Sequence, residues 1–402
     1  MSSTDEISPR SFWLTAAVLL LVGLCLRWGA ATGFQPADPE EIFYGRYVEL
    51  IAQKGFGVYP DLVEQYLAVP PQLPTILPPL RVGPVLGAVV IRSVTGADAP
   101  TSLNREAALY SILLLPLALL AARRLAGPRI ALATLALLVV APTQLFAARH
   151  GFSDVVLTFW SLAAFWALWE CLQKPAEPWR LTALGFATLM LVLTRETWWI
   201  VVLGLLAPLA LNRGLKFGTP HHYIAVALGI GVLLGGSFLA LTCGGVDWVV
   251  AGYSRGLFAA AEFPYTIATA DGPWFRYLFD LAIVSPLVVL LALTMLVRLN
   301  GDTRPQLFAA LFFAATYLLL AAMPYGANLR FANFWDFPLC FLAASAVLSL
   351  TANLPWRPVA VAAASLVLVA ASSTQQYRRI FLERNVSEPT TPALLKAVDI
   401  LK

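Results

Sequence analysis

Asp38-Pro39-Glu40-Glu41 places three carboxylates within four positions of a 402-residue chain in which only 12% of residues are charged. The proline among them keeps the run out of a helix interior. An amphipathic, aromatic stretch, IFYGRYVELIAQKG, follows directly. Carboxylates so placed can bind a hard cation, take a proton from a hydroxyl, or simply face water. Further ionisable residues recur where apolar runs end. They are Arg46 and Arg81, then Arg149-His150-Gly151-Phe152-Ser153-Asp154, and the tight Thr194-Arg195-Glu196-Thr197 link. Glu262 and Asp271 follow in a later loop, and Pro324-Tyr325-Gly326-Ala327-Asn328-Leu329-Arg330 precedes Asp336. A charge at membrane depth costs roughly 2.5–3.5 kcal/mol on insertion scales, so such residues usually pair or mark a site.

Apolar runs must position these groups. Hydrophobic residues make up 59% of the chain and the mean hydropathy is +0.74, which places it among polytopic helical membrane proteins. The runs are continuous, not alternating, which argues against a β-barrel. Cys25, Cys171, Cys243 and Cys340 are scattered without a C-x-x-C pair and read as small buried hydrophobes, not as a disulfide or zinc framework. The run from Phe12 to Leu26 has features of a signal peptide; its weakly basic start favours a retained anchor.

Spans of about 20 apolar residues are expected near 12–28, 105–122, 129–147, 155–172, 181–194, 197–211, 223–242, 277–297, 307–323, 335–351 and 356–371, about eleven crossings. The run 80–94 is shorter, contains Gly and Pro and has an arginine near each end; it reads as a membrane-surface or re-entrant segment. With the N-terminus inside, each inner loop is short and basic: Arg123, Arg124 and Arg129; Lys174 and Arg180; Arg213 and Lys216; Arg298 and Arg304; Arg357. That alternation satisfies the positive-inside rule. The formal charge of +4 thus reads as topology, and no nucleic-acid partner is expected. The expected organisation is one membrane domain, 1–371, with large outer loops at 29–104 and 243–276. A short outer tail, 372–402, ends in the helical pattern TPALLKAVDILK.

Each site residue also has a bland reading. Arg195-Glu196 suits a self-neutralising turn, and Arg149 and Arg330 suit snorkelling anchors. His150 suits an interfacial polar residue, Glu41 a solvated loop charge, and Ser153-Asp154 a helix N-cap. Outer-loop aromatics fit the interfacial belt better than a sugar-stacking surface. Collectively, acids and bases gather on one membrane face. An ion-coupled transporter would instead place them near mid-helix. The pattern fits an enzyme at the outer interface acting on an amphiphilic donor, with arginines on a phosphate and carboxylates activating a hydroxyl.

The order of motifs resembles a known family. Asp38-Pro39-Glu40 follows the first helix, and Leu77-Pro78-Pro79-Leu80-Arg81 precedes a short helix. The inner loop ARRLAGPR comes next, and Arg149 to Asp154 forms an R-x-G-x-S-D exit. Over about residues 10–215 this resembles the GT-C class of integral membrane glycosyltransferases, in the protein-O-mannosyltransferase and aminoarabinose-transferase-like branch. The resemblance implies an all-α, GT-C-like fold that moves a hexosyl or pentosyl group from a polyprenyl-phosphate donor to a hydroxyl of a lipid, glycan or protein acceptor. It further implies a site on the periplasmic or exterior face of a bacterial cytoplasmic membrane.

Asp38 then matches the first-loop acid, a general base or acceptor-positioning group, Glu40 its paired acid, and Asp154 the second outer-loop acid. Arg81, Arg149, Arg195 and Arg330 are the expected donor-phosphate ligands, and Glu41, His150, Glu196 and Tyr325 further substrate contacts. A divalent cation, magnesium or manganese, would sit at Asp38 and Glu40 if one is used. Leu77 departs from the aminoarabinose branch, which carries Lys before Pro-Pro-Leu; Arg81 is the residue that could supply that phosphate contact. The competing readings are a transporter or flippase for a lipid-linked or anionic substrate, and a non-catalytic lipid-binding protein.

Overall fold

The computed structural model describes residues 7–31, 39–70, 78–175, 177–258, 272–323, 328–352, 354 and 357–383. Asp38, Leu77, Glu262, Asp271, Tyr325 and the final helical pattern lie outside the described residues. Within them the chain is helical, with no strand. In order the helices are α1 (Pro9–Ala31), α2 (Pro39–Lys54), α3 (Tyr59–Ala68), α4 (Val82–Thr95), α5 (Ala99–Ala126), α6 (Pro128–Val139), α7 (Pro142–Ala147), α8 (Ser153–Gln173) and α9 (Pro178–Thr194). They continue with α10 (Trp198–Leu215), α11 (His222–Cys243), α12 (Val246–Phe258), α13 (Arg276–Val284), α14 (Pro286–Val297), α15 (Arg304–Ala321), α16 (Asp336–Thr351) and α17 (Pro358–Tyr377). A 3-10 stretch, Leu329–Trp335, leads into α16, and a π turn, Arg378–Glu383, prolongs α17.

Eight helices among the described residues are long and apolar enough to span a bilayer, or nine if a bent pair counts as one span. This differs from the eleven straight crossings expected, for local reasons. The run 129–147 is broken into α6 and α7 before Pro142, which has no N–H to continue the ladder. The run 277–297 bends by 117° between α13 and α14, where Pro286 follows Ser285. The segment near 181–194 is the 17-residue α9. At 14 residues α4 is about 21 Å long, too short to cross, as its composition suggested. The last span runs past residue 371, to Tyr377 and the π turn.

Two cores result. The larger is the bundle, with α8, the 3-10 stretch and α16 at its most buried centre. Here α1 contributes Phe12 and Ala16. The smaller unites α2, α3 and α4 with the ends of α5, α9 and α11 through Tyr44, Tyr47, Tyr59, Leu62, Val85, Leu193 and Cys243. The amphipathic helices of the first long loop are therefore a packed platform on one end of the bundle. All four cysteines are free and three are buried.

Helices α9 and α11 approach through glycine, as small residues allow between membrane helices. A Cβ on Gly231 would collide with the Gly185 carbonyl and with Thr188, whereas one on Gly229 would meet open space. Gly231→Ala is expected to destabilise the solubilised protein by about 1–3 kcal/mol through overpacking. Gly229→Ala should leave the thermal unfolding midpoint unchanged; equal midpoints would show that the contact carries no weight.

Candidate active site

At the platform end of the bundle, five separate stretches of chain deliver three carboxylates and three guanidiniums to one place. Glu40 stands in the first turn of α2, where acids suit the N-terminal end of the dipole. Arg81 immediately precedes α4, Asp154 lies in the first turn of α8, Arg195 and Glu196 form the α9–α10 link, and Arg330 sits in the 3-10 stretch. Arg81 Nη1 donates to Glu40 Oε1, and Arg330 Nη2 donates to Glu40 Oε2 at 2.6 Å. Arg81 Nε reaches both Glu196 oxygens at 3.1 and 3.2 Å. Arg195 Nη1 pairs with Asp154 Oδ1, and Arg330 Nε lies 3.5 Å from Asp154 Oδ2. The formal charges of these six side chains cancel.

Aromatic faces fix the cations in place. Arg330 lies 4.0 Å above the Phe152 ring, Arg195 4.3 Å above Phe331, and Arg81 5.1 Å above Tyr44, contacts that strengthen as water is removed. The bland readings of these residues fail. Arg195 and Glu196 pair with different partners and not with each other. Phe152 occupies the N-cap of α8 with no side-chain cap bond, so Asp154 is committed to arginine. Arg330 is buried, not snorkelling.

Electrostatics follow from that packing. Burial alone would raise the Glu40 carboxyl, but Arg330 and Arg81, with Arg195 behind them, hold it well below the usual carboxylate range. Burial also depresses Arg195, aided by the neighbouring Arg81 and opposed by Glu40 and Glu196. At Arg81 burial is outweighed by Glu196, Tyr44 and Glu40, and its pKa rises.

The other expected residues divide. Glu41 is buried beside the cluster, where one oxygen accepts from the Gly151 amide at 2.6 Å and lies 3.3 Å from His150 Nδ1. The His150 ring stacks on Phe152 at 5.1 Å and meets Phe146 at a tilt, 4.5 Å away. These two therefore tie α2 to the loop before α8. Arg149 turns the other way and donates to the Tyr377 hydroxyl at 3.1 Å, so it is not brought into the arginine cluster. Among the described residues no group of three or more His, Cys, Asp or Glu is placed to hold a metal. Glu40, gripped by two guanidiniums, does not fit a dication in this arrangement.

Asp336, singled out from the sequence, has polar neighbours that were not. Asp336 Oδ2 accepts from Thr143 and, at 2.9 Å, from Gln144 Nε2, which also reaches the Asn333 backbone and side-chain oxygens at 3.0 Å. Between this network and Arg330 lies a small cleft, with room for about one water, lined by Thr143, Phe146, Ala147, Leu329, Arg330, Asn333 and Phe381. The available signal was Pro-Thr-Gln inside an otherwise apolar run, opposite Asn333 and Asp336.

A second ionic cluster, in which Arg124 and Arg180 hold Glu170, lies at the far end of α8. About 24 Å of helix separates Asp154 from Glu170. Residues expected on opposite sides of the membrane thus sit at opposite ends of one span.

No protein-family model matches the chain, and no curated protein does. Solved structures do. ArnT from Cupriavidus metallidurans in the apo state superposes with a TM-score of 0.56 at 18% identity, over 92% of this chain and 73% of its own. The same protein bound to undecaprenyl phosphate gives 0.54 and 17%, over 92% and 72%. The oligosaccharyltransferase AglB from Archaeoglobus fulgidus, in complex with an inhibitory peptide and a dolichol-phosphate, gives 0.57 and 12%, over 97% of this chain and 59% of its own. The chain therefore has the polytopic GT-C-like fold expected from its motif order, the fold of these two membrane transferases.

Proposed function

We propose that this protein is a membrane glycosyltransferase that moves a sugar from a polyprenyl-phosphate donor to an acceptor hydroxyl. The observation that carries the reading is the convergence of Arg81, Arg195 and Arg330 with Glu40, Asp154 and Glu196 beside a cleft at one bundle end. Similarity to structures that hold undecaprenyl phosphate and a dolichol-phosphate supports a lipid-linked donor. The periplasmic face of a bacterial cytoplasmic membrane is the proposed location, on the positive-inside pattern of the loops.

In the proposed reaction the acceptor oxygen attacks the anomeric carbon and Asp38 takes its proton. The bond from that carbon to the phosphate oxygen breaks, its electron pair leaving on the polyprenyl phosphate. Arg81 and Arg330 stabilise the charge that develops there, preorganised so that little reorientation is needed. Asp154, itself paired with Arg195, faces Arg330, and Glu196 holds Arg81. The acceptor is a hydroxyl of a lipid, glycan or protein, and the sugar a hexose or pentose.

The test is transfer by the purified protein across a panel of polyprenyl-phosphate sugars. Wild type should transfer at least one, and Asp38→Asn should lose about 10²-fold or more in rate with its unfolding midpoint unchanged. A folded Asp38→Asn protein with full activity would remove Asp38 from the mechanism. Absence of transfer across the panel would count against the enzyme reading.

A further inference from the structure

Glu40 makes a poor proton acceptor, because two arginines hold its carboxylate ionised and hydrogen-bonded. Its position suits another role. Each of its oxygens is taken by the terminal nitrogen of a different arginine: Arg81 Nη1 on Oε1 and Arg330 Nη2 on Oε2. The other edge of each arginine meets a carboxylate of its own, hydrogen-bonded at Arg81 and 3.5 Å away at Arg330, where the guanidinium also lies over Phe152. Glu196 takes Arg81 at Nε, and Asp154 faces Arg330 at Nε. With Glu40 removed, both guanidiniums would keep their aim, and the nitrogens released would point at one vacated anion position.

Resting on the proposed donor, we infer that Glu40 is an internal stand-in for the donor phosphate: it occupies the anion position between Arg81 and Arg330 and is exchanged for phosphate when the donor binds. Charge favours exchange over addition. The six-residue cluster is neutral, so a phosphodiester added to it would bring an unmatched negative charge into a buried site. With Glu40 displaced the remaining five residues carry one net positive charge, which a singly charged phosphodiester cancels and which attracts a phosphomonoester, of charge about −1.5 to −2, at least as strongly.

Accessibility points to the same carboxylate. The Glu40 side chain is 13% exposed, against 9% for Glu196 and 1% for Asp154. It stands in the first turn of its helix, where a side chain can swing out without breaking the ladder. Glu40 thus sets how tightly and how selectively the site takes a phosphate, while Glu196 and Asp154 are positioning residues.

The experiment measures binding of undecaprenyl phosphate, with undecaprenol as the uncharged control, to the full-length protein in nanodiscs. If Glu40 holds the position about nine-tenths of the time, Glu40→Gln should bind the phosphate about tenfold more tightly, since apparent affinity scales with the competent fraction. Undecaprenol binding should not change, and Glu196→Gln should weaken phosphate binding. A carboxylate that merely braces the fold would give the opposite sign, so a folded Glu40→Gln protein with equal or weaker phosphate binding overturns the inference. If wild type still prefers the phosphate, the donor reading survives that result. If neither protein prefers undecaprenyl phosphate to undecaprenol, both readings fall. Should Glu40→Gln not fold, Glu40→Asp replaces it: too short to span both arginines, it too should gain affinity, and no gain overturns the exchange.

Discussion

Arg330→Met is expected to lower the rate of sugar transfer by about 10³-fold, the size of effect seen when one preorganised donor to a developing oxyanion is removed. Arg330 meets Glu40, faces Asp154 and lies over Phe152. Its loss leaves the cluster with one excess negative charge where the phosphate must lie. Stability should fall as well, because removing one partner of a buried ion pair costs about 3–5 kcal/mol. The two effects can be separated. Arg330→Met combined with Glu40→Gln restores neutrality, so the unfolding midpoint should recover most of its loss while transfer stays low. Arg330→Lys keeps the charge but cannot reach two carboxylates as a planar fork does, and should retain an intermediate rate. Recovery of transfer in the double variant would show that Arg330 serves the fold and not the phosphate.

The participants in this site were largely legible before the fold was known, because a charge beside an apolar run is costly and therefore informative. Glu40, Arg81, Asp154, Arg195, Glu196 and Arg330 all stand out on that ground. What could not be read was the pairing. Glu40 and Arg330 are 290 positions apart, and Arg195 sits beside Glu196 in sequence yet pairs with Asp154. Periodicity has no access to such choices. Arg149 illustrates the reverse case, with the right residue type and place in sequence but a side chain turned to Tyr377.

The helix breaks at Pro142 and Pro286 were concealed for a related reason. Hydropathy summed over a span length reads through a single proline, although the backbone cannot. Thr143, Gln144 and Asn333 were missed because uncharged polar residues in an apolar run barely change that sum. Their importance lies in what they face.

Arg27→Leu is expected to be the most damaging substitution outside the site, and the broken helix explains why. Arg27 is 0% exposed within α1. It donates to Ser111 Oγ at 2.8 Å and to the carbonyls of Val139, Leu138 and Gly23 at 3.0, 3.1 and 3.4 Å. Leu138 and Val139 end α6, and the residue four places beyond Leu138 is Pro142, which has no amide hydrogen to offer. The Leu138 carbonyl also accepts from the Ala141 amide at 3.3 Å, so the guanidinium adds a second donor there and supplies one to the Val139 carbonyl. Four bonds at the average of about 0.6 kcal/mol found within membranes give about 2.4 kcal/mol; at the charged-donor value of about 1.5–3 kcal/mol each they would give about 6–12 kcal/mol.

The loss would not remain local, because α7 begins at Pro142 and carries Thr143 and Gln144, which hold Asp336 and Asn333 at the cleft. Transfer should fall about tenfold along with the unfolding midpoint, as expected when a supporting group is lost and not a reacting one. Arg27→Lys tests the geometry, since an ammonium offers its three donors from one atom and lacks the spread of the guanidinium nitrogens that meet Ser111, Val139 and Leu138. It should recover only part of the stability. If Arg27→Lys matched wild type, the residue would need to be seen as a charge that sets topology, and the link from α6 to the cleft would fail with it.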